Sequence, residues 1–239
     1  SWSAIRALAA AIAERTGSEL GMLSEGPNGA GAHLAGLLPH RGPGGQARDT
    51  TGLHAADMLE ESLDAMLLFG VEPDRDLAAE DPVGRLRSAG FVAAFTPFDS
   101  ESLRSSADLL LPIGTFAETS GTFVNCEGRW QSFGGIANAV GDARPGWKVL
   151  RVLGNLFGIP GFDYESSEEV RDELRSVLGD CRPDNACKGE KAIAPPGGSS
   201  GGAGEFDLPM YGVDAVVRRA TALQRTAEAR RTAGAEPAR

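Results

Sequence analysis

Three short apolar runs, separated by segments with a helical pattern, constrain the fold more than any other feature of this sequence. The runs are residues 65–69, 91–95 and 107–111. Apolar runs of this length are typical of parallel strands that helices cover on both faces. A helical stretch that includes Arg85 and Leu86 separates the first two runs, and Asp99 or Ser100 is expected to cap a short helix before the third. The order predicts an α/β fold with a doubly wound, mostly parallel sheet.

The N-terminal part of the chain predicts helices and one further strand. Residues 2–16 carry apolar side chains at steps of three and four, which indicates an amphipathic helix. A short strand is expected at residues 19–23. Asp49 or Thr50 is expected to cap a helix that continues to about Glu61.

The C-terminal part predicts two helices, a linker and a docking helix. Pro145 begins one helix, and Ser166 with Glu169 forms a capping-box pattern for the next. We therefore divide the chain into an α/β domain at 1–178, a Gly/Pro/Ser-rich flexible linker at 179–204, and a C-terminal docking helix with a frayed tail at 205–239. The docking helix is expected to pack on its own domain or on a neighbouring subunit.

Charge and hydropathy exclude several classes of protein. The formal net charge of -10 argues against a nucleic-acid partner and against charge-driven binding to an anionic membrane. No window reaches the roughly 18 to 20 apolar residues that span a bilayer, and the first residues lack the pattern of a signal peptide. Because the chain has no initiating Met and enters directly on a helical pattern, we expect it to be a piece of a longer polypeptide.

The cysteines and histidines do not form a recognisable metal-binding pattern. The three cysteines are Cys126, Cys181 and Cys187, and their spacing matches neither a zinc knuckle nor an iron–sulfur run. We interpret them as reduced thiols. The three histidines have no carboxylate or thiol at ligand spacing, so no metal site is predicted.

A dense set of polar residues follows the third apolar run. We call residues 107–133 the signature segment; if the run is a parallel strand, this loop lies at a carboxyl end of the sheet, where α/β proteins bind ligands. The candidate site residues in it are Pro112, Glu118, Gly121, Thr122, Asn125, Glu127, Gly128 and Arg129.

The signature segment resembles a stretch of the molybdopterin oxidoreductase superfamily. The matching positions are Ala107, Asp108, Leu111, Pro112, Glu118, Gly121, Thr122, Asn125, Glu127, Gly128, Arg129 and Gln131. Within that superfamily, the loop at residues 38–45 and the C-terminal phrase at 208–224 are similar to the family of large iron–sulfur G subunits of bacterial NADH-quinone oxidoreductase, respiratory complex I. The resemblance implies a molybdopterin-oxidoreductase type of sheet.

The resemblance also carries expectations about function. It implies a peripheral subunit on the cytoplasmic side of the bacterial inner membrane, within an electron-transport translocase that passes electrons from NADH to quinone. Its partners would be other peripheral-arm subunits, with no nucleic acid and no direct membrane insertion. The family's cluster-binding cysteines belong to an N-terminal part that this sequence does not contain, so iron–sulfur clusters are expected there. No cofactor is expected in this chain, which is predicted to be non-catalytic by itself.

The candidate residues have two interpretations. Glu118, Asn125 and Glu127 could act as acid or base groups or hold pterin amides. Alternatively Asn125, Glu127 and Gly128 form a tight turn, Glu118 caps it or pairs across it, and Arg129 supplies a charge partner. We favour the structural interpretation, because no nucleophile, metal set or phosphate loop accompanies these residues. The alternative function is a fragment of a catalytic molybdopterin oxidoreductase, such as a formate dehydrogenase.

Overall fold

The computed structural model describes residues 2–21, 23, 26–181 and 211–232, and the predicted linker lies mostly outside them. The helices are α1 Trp2–Thr16, α2 Gly29–Leu34, α3 Ala55–Glu60, α4 Pro73–Asp76, α5 Pro82–Leu86, α6 Glu101–Ser106, α7 Gly146–Leu156, α8 Ser167–Leu178, α9 Thr221–Gln224 and α10 Ala227–Thr232. The strands are β1 Met66–Phe69, β2 Val92–Thr96, β3 Leu109–Pro112, β4 Gly121–Val124 and β5 Trp130–Phe133. Short 3-10 helices lie at Pro43–Gly45, Phe116–Glu118 and Val217–Arg219.

The three apolar runs form one parallel sheet in the order β1-β2-β3, which confirms the predicted α/β class. The central strand β2 is buried along its whole length. On one face of the sheet, Leu86 and Leu103 are fully buried and pack with Met66, Leu68 and the other residues of the main core. The helices α3, α5 and α6 supply this cover.

The expected cover on both faces of β1 is only partly present. Leu67 and Phe69 point away from the main core and are 56% and 45% exposed. Both helical crossovers place their helices on the same face as Leu68, so the opposite face of β1 depends on other elements. The first turn of α7 supplies some cover there, since a Cβ on Gly146 would approach the Phe69 ring at 2.6 Å.

Helix starts follow the side chains that can satisfy free backbone N–H groups. Ser100 caps α6 by accepting a hydrogen bond from Leu103 N, as one of the two predicted alternatives requires. The predicted cap at Asp49 or Thr50 is wrong, because α3 begins later and His54 caps it through Asp57 N. The structure places Ser166 as the predicted cap of α8.

Two further predictions differ from the structure. Residues 18–21 and 23 belong to no strand, because none of the described strands pairs with them and a lone segment has no ladder to stabilise it. Within the C-terminal region that the structure describes, residues 211–232 form three short helical pieces in place of one docking helix. The boundaries of the predicted domains stay predictions.

A hairpin forms a second, smaller unit after the sheet. β4 and β5 pair antiparallel, with Phe123 and Phe133 in edge-to-face contact at 5.0 Å between ring centroids. A second core contains Leu34, Val124 and Leu178, so the hairpin packs between α2 and α8. Asn28 Oδ1 also accepts a hydrogen bond of 2.8 Å from Val124 N. In the part of the chain that the structure describes, no helix is long and apolar enough to cross a membrane.

Candidate functional site

The signature segment is organised around the β4–β5 hairpin. Asn125 accepts hydrogen bonds at Oδ1 from Arg129 N at 2.9 Å and from Glu127 N at 3.1 Å. Gly128 adopts a positive φ of 77°, a conformation that side chains other than Gly rarely tolerate. The sequence predicted this asparagine turn for Asn125, Glu127 and Gly128. Because Asn125 Oδ1 already accepts two hydrogen bonds from backbone N–H groups, it is not free to bind a ligand.

The predicted roles of Glu118 and Arg129 need correction. Glu118 caps the 3-10 helix that precedes β4, where its Oε2 accepts from the N and Oγ1 of Thr115 at 2.8 and 2.9 Å. It therefore does not pair across the turn. Among the described residues we find no ion pair for Arg129, which is exposed to solvent. The turn is satisfied by an amide, so no charge partner is required there.

The remaining candidate residues shape the backbone. Pro112 ends β3, a strand at the sheet edge, where its missing N–H costs no ladder bond. Gly121 pairs with Phe133, and a Cβ there would lie 2.9 Å from that ring. Thr122 Oγ1 lies 2.9 Å from Ser132 Oγ across the hairpin.

The hairpin keeps the candidate residues apart. Glu118 lies near its open end, where Gly121 pairs with Phe133, while the asparagine turn lies at its closed end. The structure therefore does not bring the candidate acids to one point. An acid–base pair needs its two groups within reach of one reacting atom, and this arrangement does not supply that.

A partly open cavity of about 440 Å³ lies beside the asparagine turn. Its lining includes Glu127, Trp130, Arg175 and Cys181, and the Arg175 guanidinium stacks over the Trp130 ring at 4.8 Å. Cys181 Sγ donates to Gly44 O at 3.6 Å. Within the described residues no group of three or more His, Cys, Asp or Glu side chains is arranged to hold a metal ion.

A second polar region lies at the carboxyl ends of β1 and β2, and the sequence did not point to it. We call residues 70–76 and 97–100 the carboxyl-end crevice, because they directly follow these two strands; the first of the two segments includes helix α4. Glu72 is 5% exposed although it is a carboxylate. Asp76 Oδ2 accepts from Glu72 N at 2.7 Å, and Asp74 Oδ1 accepts from Ser102 Oγ at 2.5 Å. The Ser102 hydrogen bond holds the pKa of Asp74 below its usual value.

Two arginines from the end of the chain meet the carboxyl-end crevice. Arg219 Nη1 donates to Glu72 Oε1 at 2.7 Å, and Arg218 Nη2 donates to Asp76 Oδ1 at the same distance. The Arg219 guanidinium also lies 4.1 Å from the centroid of the Phe98 ring. Neither Glu72 nor the acidic residues that follow it were singled out from the sequence. The available signals were an acidic cluster directly after a buried strand and a pair of adjacent arginines.

The architecture and this crevice define an α/β protein with a parallel sheet, closed at its carboxyl ends by its own chain. The model of the molybdopterin oxidoreductase family matches residues 2–156. This chain therefore belongs to the molybdopterin oxidoreductase family.

The relatives come from two kinds of oxidoreductase. The G subunit of the NADH-quinone oxidoreductase of Mycobacterium bovis is 31% identical over 196 residues, covering 71% of this chain and 24% of the relative. The F420-dependent formate dehydrogenase 2 subunit alpha of Methanococcus maripaludis is 28% identical over 132 residues, covering 53% of this chain and 19% of the relative. The F420-dependent formate dehydrogenase subunit alpha of Methanocaldococcus jannaschii is 29% identical over 134 residues, or 53% of this chain and 20% of the relative. The chain thus spans a quarter or less of the length of these relatives.

Proposed function

We propose that this chain is a cofactor-free, structural portion of the G subunit of an NADH-quinone oxidoreductase. In this proposal it supports NADH-to-quinone electron transfer, and the iron–sulfur clusters lie in an N-terminal part of the longer polypeptide. The observation that carries the proposal is the extent of similarity. The G subunit of the M. bovis enzyme matches 71% of this chain, whereas the formate dehydrogenase subunits match 53%.

The chemistry of the carboxyl-end crevice supports the cofactor-free part of the proposal. A molybdopterin carries phosphate, which is stabilised by free cations or by exposed backbone N–H groups. Glu72, Asp74 and Asp76 present carboxylates here, and both arginines that reach this crevice are bound to those carboxylates. The residues present in this crevice therefore do not fit a phosphate-bearing cofactor.

The surface supports a role inside a larger assembly. Large apolar side chains stay exposed on several elements, among them Ile12 on α1, Leu67 on β1, and Leu156 and Phe157 at the end of α7. These side chains are available for contacts with other protein, and a contiguous apolar patch among them would mark such a surface. The proposed partners are other peripheral-arm subunits of the complex, and the proposed location is the cytoplasmic side of the bacterial inner membrane.

The alternative is a fragment of a catalytic molybdopterin oxidoreductase of the formate dehydrogenase type. The similarity to the two formate dehydrogenase subunits favours it. In that case the chain would form part of the wall of a pterin site, and molybdenum would accompany it.

Elemental and pterin analysis of the folded, purified chain separates the two functions. We expect molybdenum, iron and pterin well below one equivalent, together with a cooperative thermal transition. Molybdenum near one equivalent would overturn the structural proposal in favour of the alternative.

A tagged chain expressed in its native cell should also co-migrate with NADH-oxidising activity on a native gel of detergent-solubilised membranes. Co-migration with formate-oxidising activity alone would contradict membership of the NADH-quinone complex.

A further inference from the structure

The carboxyl-end crevice has the chemistry of a site for a cation. In open α/β sheets, ligands bind beyond the carboxyl ends of the strands. Here that position presents the buried carboxylate of Glu72 and the partly exposed carboxylates of Asp74 and Asp76. A buried carboxylate requires a paired charge, because its desolvation is otherwise very costly. The aromatic face of Phe98, on the other loop of the crevice, is a second feature that attracts a guanidinium.

The segment that supplies the cations is ordered by its own hydrogen bonds. Asp214 Oδ1 accepts from the N–H groups of Val216 and Val217 at 2.8 and 3.0 Å, which starts the 3-10 helix that carries both arginines. Gln224 Nε2 donates to Tyr211 O and Val217 O at 2.9 and 3.1 Å and closes the segment on itself. We call residues 211–224 the arginine arm.

Each arginine has a separate task in the contact. Arg218 lies deep, with its side chain 10% exposed, and bridges Asp76 at 2.7 Å and Glu72 at 3.7 Å. Arg219 is one-third exposed and clamps Glu72 while stacking on Phe98. Arg219 therefore spans the segments that follow β1 and β2, and Arg218 adds the buried pairing with Asp76 that one arginine would leave unmade.

We propose that the carboxyl-end crevice is a recognition site for a paired-arginine peptide segment, and that the chain's own arginine arm occupies it. A covalent tether holds such an arm near its site at an effective concentration on the order of mM, so modest intrinsic affinity suffices for closure. The contacts define the chemical class of the ligand. A basic peptide with adjacent arginines pairs with the carboxylates of the crevice, whereas the same carboxylates repel a phosphate-bearing ligand. This assignment does not depend on the electron-transfer role of the complex.

The test cleaves the covalent connection between the arginine arm and the rest of the folded chain, and removes no other part of the protein. A site for a specific protease is inserted between Gly201 and Gly202, in the Gly/Ser-rich part of the sequence, and the full chain is cleaved after folding. The measured quantity is the fraction of the C-terminal fragment that stays with the rest of the chain in gel filtration at low micromolar concentration. We expect the fragment to stay bound in the otherwise unmodified chain.

Variants on both sides of the contact identify what holds the fragment. Arg219→Gln and Glu72→Gln should each weaken retention at least tenfold, and the double variant should be little worse than either one. Arg225→Gln is the matched control, because Arg225 is an exposed arginine in the flanking sequence; it should retain the fragment normally. Far-UV circular dichroism checks that the Glu72→Gln variant still folds. The Arg219→Gln variant changes only the arginine arm, so its effect does not depend on the fold of the rest of the chain. Equal retention in all variants, or equal loss in Arg225→Gln, would overturn the proposal.

Competition defines the class of ligand and excludes exchange between copies. A synthetic peptide of residues 211–224 should displace the fragment from the cleaved chain, and the same peptide with Gln at both arginine positions should not. Inorganic pyrophosphate at matched ionic strength should not bind the larger fragment after the C-terminal fragment has been separated from it; calorimetric binding of pyrophosphate there would contradict a cation site. The uncut chain should be monomeric by light scattering, whereas a dimer that forms only with the arginine arm present would show that a second copy supplies the arginines.

Discussion

The signature segment and the carboxyl-end crevice differ in how they use polar residues. In the signature segment, Asn125 and Glu118 bond to backbone groups within four residues of themselves, and the charged side chains Glu127 and Arg129 face solvent. In the crevice, Glu72 is buried and meets an arginine 147 residues away. The signature segment thus determines backbone shape, while the crevice buries charge by pairing carboxylates outside that segment with arginines from the C-terminal phrase at 208–224.

The largest effect on stability is expected from a substitution that removes the buried ion pairs of the carboxyl-end crevice. Glu72→Gln removes the carboxylate that two arginines share, and Arg218 then lies buried with reduced compensation. Removing one partner of a buried ion pair typically costs roughly 3 to 5 kcal/mol. Because Arg219 is one-third exposed, we expect a loss near the low end, about 3 kcal/mol, in the free energy of unfolding measured with urea.

Asp74→Asn is the control for that measurement, because the Asp74 side chain is about half exposed and lies in helix α4, which begins directly after Glu72. Its effect should stay below about 1 kcal/mol, as expected for exposed charges. An equal loss in both variants would show that the general acidity of α4 matters, and not the specific pairing of Glu72.

A smaller effect is expected in the signature segment. Asn125→Ala deletes two hydrogen bonds from the side chain to backbone N–H groups in the turn. At about 1 kcal/mol for each net hydrogen bond, the free energy of unfolding should fall by about 2 kcal/mol. Glu127→Gln is the matched control, since Glu127 is exposed and its side chain makes one long contact of 3.4 Å; a change within about 0.5 kcal/mol is expected. A larger effect of Glu127→Gln would restore the charged interpretation of this motif.

The smallest expected effect concerns Gly128. Gly128→Ala forces a Cβ into a backbone with φ of 77°, which costs roughly 1 kcal/mol. Gly134→Ala, in the same hairpin region, has open space at its Cβ and no positive φ, so its stability should be unchanged or slightly higher. Thermal unfolding of the two variants compares them directly. Equal melting temperatures would show that the turn relaxes to another conformation.

Local sequence rules predicted most of the sheet and of the turn. The apolar run at 107–111 correctly indicated a strand, but β3 lies at the sheet edge and is not buried, with Leu109 42% exposed; only the run at 91–95 became the fully buried β2. Ser100 and Ser166 were identified as caps because each can accept a hydrogen bond from its own chain three residues later. The asparagine turn was predictable for the same reason. The caps and the turn join residues only a few positions apart, so they can be predicted from the local sequence alone.

Long-range contacts decided the rest. The sequence did not indicate that β1 would expose Leu67 and Phe69, because the cover of a strand depends on which face its crossover helices occupy. It also did not indicate the charges that pair in the crevice, because Asp76 and Arg218 are 142 residues apart and only the tertiary fold brings them to 2.7 Å. The sequence by itself determined the three strands of the parallel sheet, the caps at Ser100 and Ser166, the asparagine turn and the resemblance to a family. The tertiary structure decided which carboxylates are buried and which arginines neutralise them.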